Sequence, residues 1–300
     1  MTAMTTEAPS GRTAATHRAK GAGPRRRSRV TPVGAALTLG SVLLAFVWLM
    51  PLLWAADTAL KPEAETTKTP LTWTMSDASL ESFRAILGAG DIIRWFVNST
   101  VVTVLVTLLT LALCALAAFG FSRMRFPGQG WLFAAVVAGI LIPPQVLIVP
   151  LFHEMTALGL VDTYWGMVLP QVVTPVFVFV LKKFFDGLPR DYEEAARIDG
   201  AGSLRVFWSV VLPMSKPILA AVGIFVFIHC WNNFLWPFIV TTNPDMMTIP
   251  VGLYTVQGTY GLRYAQVMAS ALLGGIPLLL VYMLFQRQVV RGVGDAGLKA

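Results

Sequence analysis

The sequence predicts an all-α membrane protein with six transmembrane helices. Two observations carry this prediction. Of the 300 residues, 55% are hydrophobic and only 13% are charged, against about 25% charged in water-soluble domains. The apolar residues also gather into six runs of roughly 20, the length that crosses a bilayer core as a helix. By hydropathy these spans lie at about 33–56, 95–121, 131–152, 164–181, 218–240 and 264–286, and none contains Asp, Glu, Lys or Arg.

Residues 1–30 precede the first span. They are rich in Thr, Ala, Gly, Pro and Arg, with almost no large apolar side chains, which marks a disordered basic tail. Arg25, Arg26, Arg27 and Arg29 stand just before the first apolar run. They raise the rival reading of a cleaved signal peptide, even a twin-arginine one. A run of 33–56 is longer than the usual signal core of about 7–15 residues, so it reads as a retained span. With the N-terminus inside, the inner segments hold 18 of the 23 Lys and Arg and the outer segments hold five. Basic residues favour the cytoplasmic face. The chain is therefore read as multi-pass in the cytoplasmic membrane, with both termini in the cytoplasm. The net charge of +7 is then a topology signal and an attraction to membrane lipid, with no nucleic acid implied.

Two outer segments are more than short turns. Residues 57–94 are polar with a partly amphipathic end and read as a surface loop. Residues 241–263 mix apolar and turn residues. They read as chain that dips back toward the membrane, which requires protein or a watery cavity to cover the backbone.

Two spans carry polar interruptions. The third contains Ile142-Pro143-Pro144-Gln145 and Pro150. Adjacent prolines remove backbone donors and bend or break a helix, so Pro143, Pro144 and Gln145 form a packing kink or line a pathway. The fifth carries His229-Cys230-Trp231-Asn232-Asn233-Phe234-Leu235-Trp236-Pro237. Paired Asn between Trp residues suits an interfacial belt or a sugar-stacking surface. His229, Asn232 and Asn233 are candidate pathway residues, with a satisfied helix-interface role as the alternative for His229. Cys114 and Cys230 read as separate buried side chains, not as a disulfide.

Several function classes are excluded or unsupported. Ion-driven transporters usually keep charged groups inside their spans, and none is present. There is no G-x-x-x-x-G-K-[ST] phosphate loop, so the chain has no evident means of binding ATP. His17, His153 and His229 do not cluster with Cys or acids at metal-ligand spacing. No nucleophile–base arrangement stands out. The chain reads as neither an enzyme nor a metal protein.

The longest charged interruption is Asp191–Pro217, within a cytoplasmic loop spanning 186–217. Asp191 and Glu194 have the spacing of a capping box. Gly200 and Gly202 stop that helix, with Gly200 in a left-handed conformation. Ser203 caps a second helix, which Pro213 and Pro217 end.

The order Glu194-Ala195-Ala196, Asp199-Gly200-Ala201 and Leu212-Pro213 is similar, without gaps, to the "EAA" loop of permease subunits of ATP-binding-cassette importers. Other segments resemble the carbohydrate-importer permeases of that group, the MalG-like ones above all. They are Ile142-Pro143-Pro144-Gln145, Pro150-Leu151-Phe152, Trp231 to Pro237 and Pro250-Val251-Gly252-Leu253. The resemblance covers nearly all the chain after residue 30, and residues 291–300 resemble the Gly-rich cytoplasmic tail of those proteins. They usually carry an acidic residue where this chain has Asn233.

The resemblance implies a type I importer permease of MetI-like architecture, moving a sugar or oligosaccharide. It implies that the Glu194-Ala195-Ala196 loop docks into a groove on a separate ATPase. The implied partners are a second permease subunit forming a heterodimer, a cytoplasmic ATPase dimer and an extracytoplasmic solute-binding protein. ATP and Mg belong to the ATPase, and this chain binds no cofactor. A self-sufficient secondary transporter or channel is the alternative and needs no ATPase.

Overall fold

A helix of 33 residues, Asp91–Arg123, is the spine against which most of the described chain packs. The structure is a computed structural model that describes residues 32–68, 73, 78–88, 91–259 and 263–297. The basic tail read at 1–30 lies outside the described residues. Among the described residues there is no strand.

In chain order the helices are α1 (Pro32–Ala59), α2 (Glu63–Thr66), α3 (Glu81–Gly88), α4 (Asp91–Arg123), α5 (Gln129–Ala138), α6 (Ile148–Ala157), α7 (Tyr164–Val172) and α8 (Pro175–Asp186). Then come α9 (Asp191–Ile198), α10 (Ser203–Val206), α11 (Leu212–Met214), α12 (Lys216–Trp231), α13 (Leu235–Val240), α14 (Ile249–Thr259) and α15 (Tyr264–Gly297). Short 3-10 turns lie at Gly139–Leu141, Pro144–Leu147 and Pro244–Met246, and a π-helical turn, Phe207–Val211, joins α10 to α11.

Three helices are each long and apolar enough to cross a membrane: α1, α4 and Tyr264–Gln286 of α15. Three bent pairs supply the rest: Gln129–Leu141 with Pro144–Ala157 at 97°, α7 with α8 at 48°, and Ser203–Met214 with α12 at 80°. Counting each pair as one span makes six.

The breaks have local causes. Ile142 and Pro143 are extended (ψ 115° and 128°) ahead of Pro144. Val173 and Thr174 are extended ahead of Pro175, as expected for residues crowded by a following proline ring. The fifth predicted span, 218–240, is corrected: α12 ends at Trp231 and α13 starts at Leu235. The expectation that Pro213 ends a helix is also corrected. The helix runs through Pro213 to Met214, because the π turn ahead of it accommodates the missing N–H. The break falls at Ser215, and Pro217 sits in the first turn of α12, where no donor is needed. At the other end of the chain, α15 continues as helix through Gly297, into the stretch read as a tail.

The chain forms two units, Met1–Met50 and Pro51–Ala300. In the first, α1 exposes Leu37, Leu43, Phe46 and Trp48, an all-round apolar surface suited to lipid. In the second, α4 buries Val102, Val106, Ala115, Ala118 and Phe119 against Met167, Leu181, Phe185, Phe207, Val211 and Val226. The same helix buries a polar row, Asn98, Ser99, Thr103 and Thr110. These recur at helical spacing, so they share one face and stay away from lipid. Cys114 and Cys230 are both free and buried, as read from the sequence.

Within the segment 241–263, residues 244–249 lie against α4. Their backbone is covered by α4 side chains: Trp95 Nε1 donates to Pro244 O (3.3 Å), and Asn98 Nδ2 donates to Asp245 O (2.8 Å) and Met247 O (2.9 Å). Ser99 Oγ accepts from Ile249 N (2.8 Å).

Candidate functional site

The charged loop is a helix–turn–helix that continues from α8. After Asp186, Gly187 and Leu188 turn the chain through backbone bonds to Phe184 O and Phe185 O, and α9 begins. The predicted capping box does not form. Arg190 is the N-cap and already helical (φ −75°, ψ −20°), with no side-chain cap bond. Asp191 therefore sits one residue inside the helix, where its side chain cannot reach back over the first turn. Arg190 O instead accepts from Glu193 N and Glu194 N. The acidic first turn of Asp191, Glu193 and Glu194 still suits the helix dipole. Ser203 is likewise not a cap. Gly202 holds that position in extended conformation, again without a side-chain bond.

The end of α9 follows the sequence closely. Gly200 has φ +83°. Its N–H bonds Arg197 O (3.0 Å), and Ala201 N–H bonds Ala196 O (2.9 Å). This pair of bonds is a Schellman turn, which reserves the left-handed position for glycine. Ala196 and Ala201 face the core, while Glu194, Ala195, Asp199 and Gly200 are exposed. At the far end Leu212 is half-buried against the core, while Pro213 is exposed.

The outer side of this loop is apolar where it should be wet. Ile198 is 86% exposed, Leu204 64% and Trp208 62%. These exposed apolar side chains stand among the charged residues of the loop.

Sequence reasoning missed what holds the loop. Glu193, the buried residue of α9, accepts a 2.6 Å bond at Oε1 from Arg123 Nε, the last residue of α4. Arg123 Nη2 donates to Leu188 O (3.2 Å) and Nη1 to Ser122 Oγ (3.0 Å). Ser122 Oγ donates to Asp186 Oδ1 (2.7 Å), whose other oxygen accepts from Lys182 Nζ (2.7 Å). The partners are 70 residues apart in sequence, and neither carries a periodicity signal.

The candidate pathway residues are only partly brought together. Pro143, Pro144 and Gln145 are exposed at the sharpest bend. His229 is exposed on α12, and exposed Asn232 donates to Ile228 O (2.8 Å). Asn233 is half-buried, and its Nδ2 donates to Gln171 Oε1 (2.7 Å). That bond joins the break after α12 to the end of α7 near the α7–α8 break. Gln171 was not singled out from the sequence. Among the described residues no hydrogen bond joins the Pro143–Gln145 bend to these groups.

The tryptophans correct the belt-or-stacking expectation. Trp231 and Trp236 are 3% and 6% exposed. Their indole N–H groups donate to Gly274 O (2.9 Å) and Gly166 O (3.1 Å). Phe227 stacks on Trp231, and Phe96 meets it in a T-shaped contact. They are core side chains, because buried helix carbonyls were within reach of the indole donors.

At the opposite end of α4, an open cavity of about 660 Å³ is lined by Ile93, Arg94, Val97, Asn98, Tyr164 and Asp245. Arg94 pairs with Asp245, and Tyr164 Oη donates to Asn98 Oδ1 (2.7 Å). Nearby, Asp162 takes a left-handed conformation (φ 59°). Its carboxylate accepts from Thr242 N (2.6 Å), Thr242 Oγ1 (2.6 Å) and Asn243 N (2.8 Å). Partial desolvation pushes this carboxyl up, but the bonds from Asn243 N–H, the Thr242 hydroxyl and Thr242 N–H outweigh it and hold it below its ordinary value. A depressed carboxyl contributes stability that is full above the unfolded value and is lost as pH falls through the folded one. Asp162→Asn is therefore expected to melt below the parent at neutral pH. The gap should narrow on acidification below the ordinary aspartate range, as read by thermal melts in detergent from pH 7 downward. A gap independent of pH would contradict this account.

Among the described residues, no group of three His, Cys, Asp or Glu side chains gathers where it could hold a metal ion. The arrangement offers a loop with exposed apolar side chains and a set of helix breaks.

Residues 111–295, which include the loop, its anchor and the breaks, match the family described as binding-protein-dependent transport system inner membrane component. The chain is 33% identical over 266 residues to the arabinooligosaccharides transport system permease protein AraQ of Halalkalibacterium halodurans, covering 88% of this chain and 95% of that protein. It is 32% identical over 269 residues to the trehalose/maltose transport system permease protein MalG of Thermococcus litoralis, covering 88% and 96%. In fold it is similar to a bacterial ABC transporter involved in the import of the acidic polysaccharide alginate, with a TM-score of 0.76 over 87% of this chain and 97% of that one, at 21% identity. The chain belongs to the family of binding-protein-dependent transport system inner membrane components.

Proposed function

We propose that this chain is a permease subunit of an ATP-driven importer that moves a sugar or oligosaccharide across the cytoplasmic membrane. The carrying observation is the exposed face of Ile198, Leu204 and Trp208, built on a Schellman turn and tied to the core beneath it. Such a face, at the end of α4 where the basic residues concentrate, suits docking of a cytoplasmic ATPase against Glu194, Ala195, Ala196, Asp199, Gly200 and Ala201. ATP and Mg are handled by that ATPase dimer. A second permease subunit completes the pathway, and an extracytoplasmic solute-binding protein delivers the substrate. The named substrates of AraQ and MalG support the sugar class. The break at Asn233 and Gln171 supplies polar groups within the spans for a pathway. Both termini lie in the cytoplasm, in keeping with the basic-residue split.

The test is co-expression with candidate ATPases and measurement of co-purification, together with uptake of labelled arabino- and malto-oligosaccharides. Co-purification and ATP-dependent uptake are expected. Uptake by this chain without any ATPase would favour the self-sufficient transporter or channel. In the same membranes, a cysteine placed at Phe126 should be labelled only from the cytoplasmic side and one at Leu158 only from outside. The reverse pattern would overturn the orientation.

A further inference from the structure

We propose that the Arg123–Glu193 pair is the joint that carries movement of the Asp191–Leu212 loop into α4, and so to the opposite end of the fold. The inference rests on the importer reading and adds a positioning pair to it.

The geometry isolates this pair. Glu193 points away from the exposed docking face, and both side chains are nearly excluded from solvent, at 3% and 7% exposed. A buried ion pair is not needed for stability, since apolar side chains of similar volume often serve as well. What the pair adds is direction. The planar guanidinium fork fixes angle as well as distance, and Arg123 uses it on three elements at once: Glu193 of α9, Leu188 O in the turn, and Ser122 of α4. Ser122 extends the hold to Asp186 at the end of α8. The ends of three helices thus meet in one network.

From that network α4 runs 33 residues without a proline, about 50 Å at 1.5 Å per residue. Its far end is fastened as well, through Trp95, Asn98 and Ser99, to the backbone of residues 244–249. The bent pairs behave differently. A push on α8 or on Ser203–Met214 meets a break of 48° or 80°, where bending absorbs it. Of these routes α4 is the stiff one, and Arg123 is the loop's polar grip on it, one turn beyond the Phe119–Phe207 packing.

The test uses the complete complex with its ATPase, carrying Ile93→Cys as a reporter. Ile93 is exposed at the outer end of α4, and the two native cysteines are buried. The rate of labelling by a membrane-impermeant maleimide is measured with and without MgATP. On the parent background the rate should change by about fivefold, a typical allosteric coupling. Arg123→Lys, which keeps the charge but loses the fork, and Glu193→Gln, which keeps the shape but loses the charge, should each still co-purify with the ATPase. In both, the MgATP effect at Ile93→Cys should vanish. A full effect in both variants would overturn the inference and leave the importer reading intact. So would an absent effect in the parent complex with its ATPase attached. Loss of the ATPase from both variants would also overturn it, since the pair would then serve assembly and not transmission. Failure of any ATPase to attach to the parent would bring down the importer reading itself.

Discussion

Gly200→Val is expected to leave the chain inserted and folded while uptake falls by about five- to thirtyfold. Gly200 sits at φ +83°, where a β-branched residue costs about 1–2 kcal/mol. An added Cβ meets nothing within 4 Å, so the whole cost is backbone strain and none is collision. That strain is too small to remove a protein of this size from the membrane. It is relieved by re-aiming the helical segment that follows, which carries Leu204 and Trp208. A loss of 1–2 kcal/mol at the docking face corresponds to about five- to thirtyfold in attachment. Glu194→Lys is the companion variant. Glu194 is exposed and caps nothing, so reversing its charge costs the fold little and its effect should fall on the partner. Both variants are read by ATPase co-purification and labelled-oligosaccharide uptake at matched membrane levels. Normal uptake in both would remove the docking role from this loop.

Gly166→Ala has the opposite signature: loss of the folded protein. The added Cβ would stand 2.1 Å from Leu160 O and 3.0 Å from its carbonyl carbon. These are backbone atoms held in place, since Leu160 N–H bonds Met155 O (2.8 Å) and Leu160 O accepts from Thr163 Oγ1 (2.7 Å). Relief requires moving the start of α7, where Thr163 Oγ1 caps Gly166 N (3.1 Å) and Gly166 O accepts from Trp236. Overpacking with several hydrogen bonds at stake costs about 3 kcal/mol. Gly223→Ala is the control. Its Cβ would meet only the Leu111 Cδ1 methyl, at 3.2 Å, and a Thr107 methyl at 3.9 Å. Size-exclusion profiles and melting in detergent should show a large loss for Gly166→Ala and little change for Gly223→Ala. Similar melting of the two would refute the backbone-collision account.

The sequence showed the parts of this fold that depend on composition and on short-range chemistry. The six apolar runs, the break at Pro143-Pro144 and the left-handed Gly200 all follow from residues acting on their immediate neighbours. The errors came where a choice depended on distant groups. Asp191 and Ser203 have the chemistry of caps, but each falls one residue inside its helix, behind Arg190 and Gly202 at the N-cap positions. Trp231 and Trp236 have the composition of a belt, but Gly274 and Gly166 offered carbonyls inside the core. Arg123 reads as a topology charge at the end of a span, and only the tertiary fold sets it against Glu193. Gln171 lies in an ordinary apolar run and gains interest only because Asn233 arrives beside it.

The fastening of segment 244–247 has a consequence for how such a chain can diverge. Trp95 and Asn98 hold it through the carbonyl oxygens of Pro244, Asp245 and Met247. Every amino acid presents that same carbonyl. That grip reads only backbone, although Asp245 is also held by Arg94 and the Asn243 side chain accepts from Asp245 N. Descendants of one ancestral chain can rewrite the exposed side chain at position 244 without renegotiating the frame. Changes at Trp95 or Asn98 would have no such freedom.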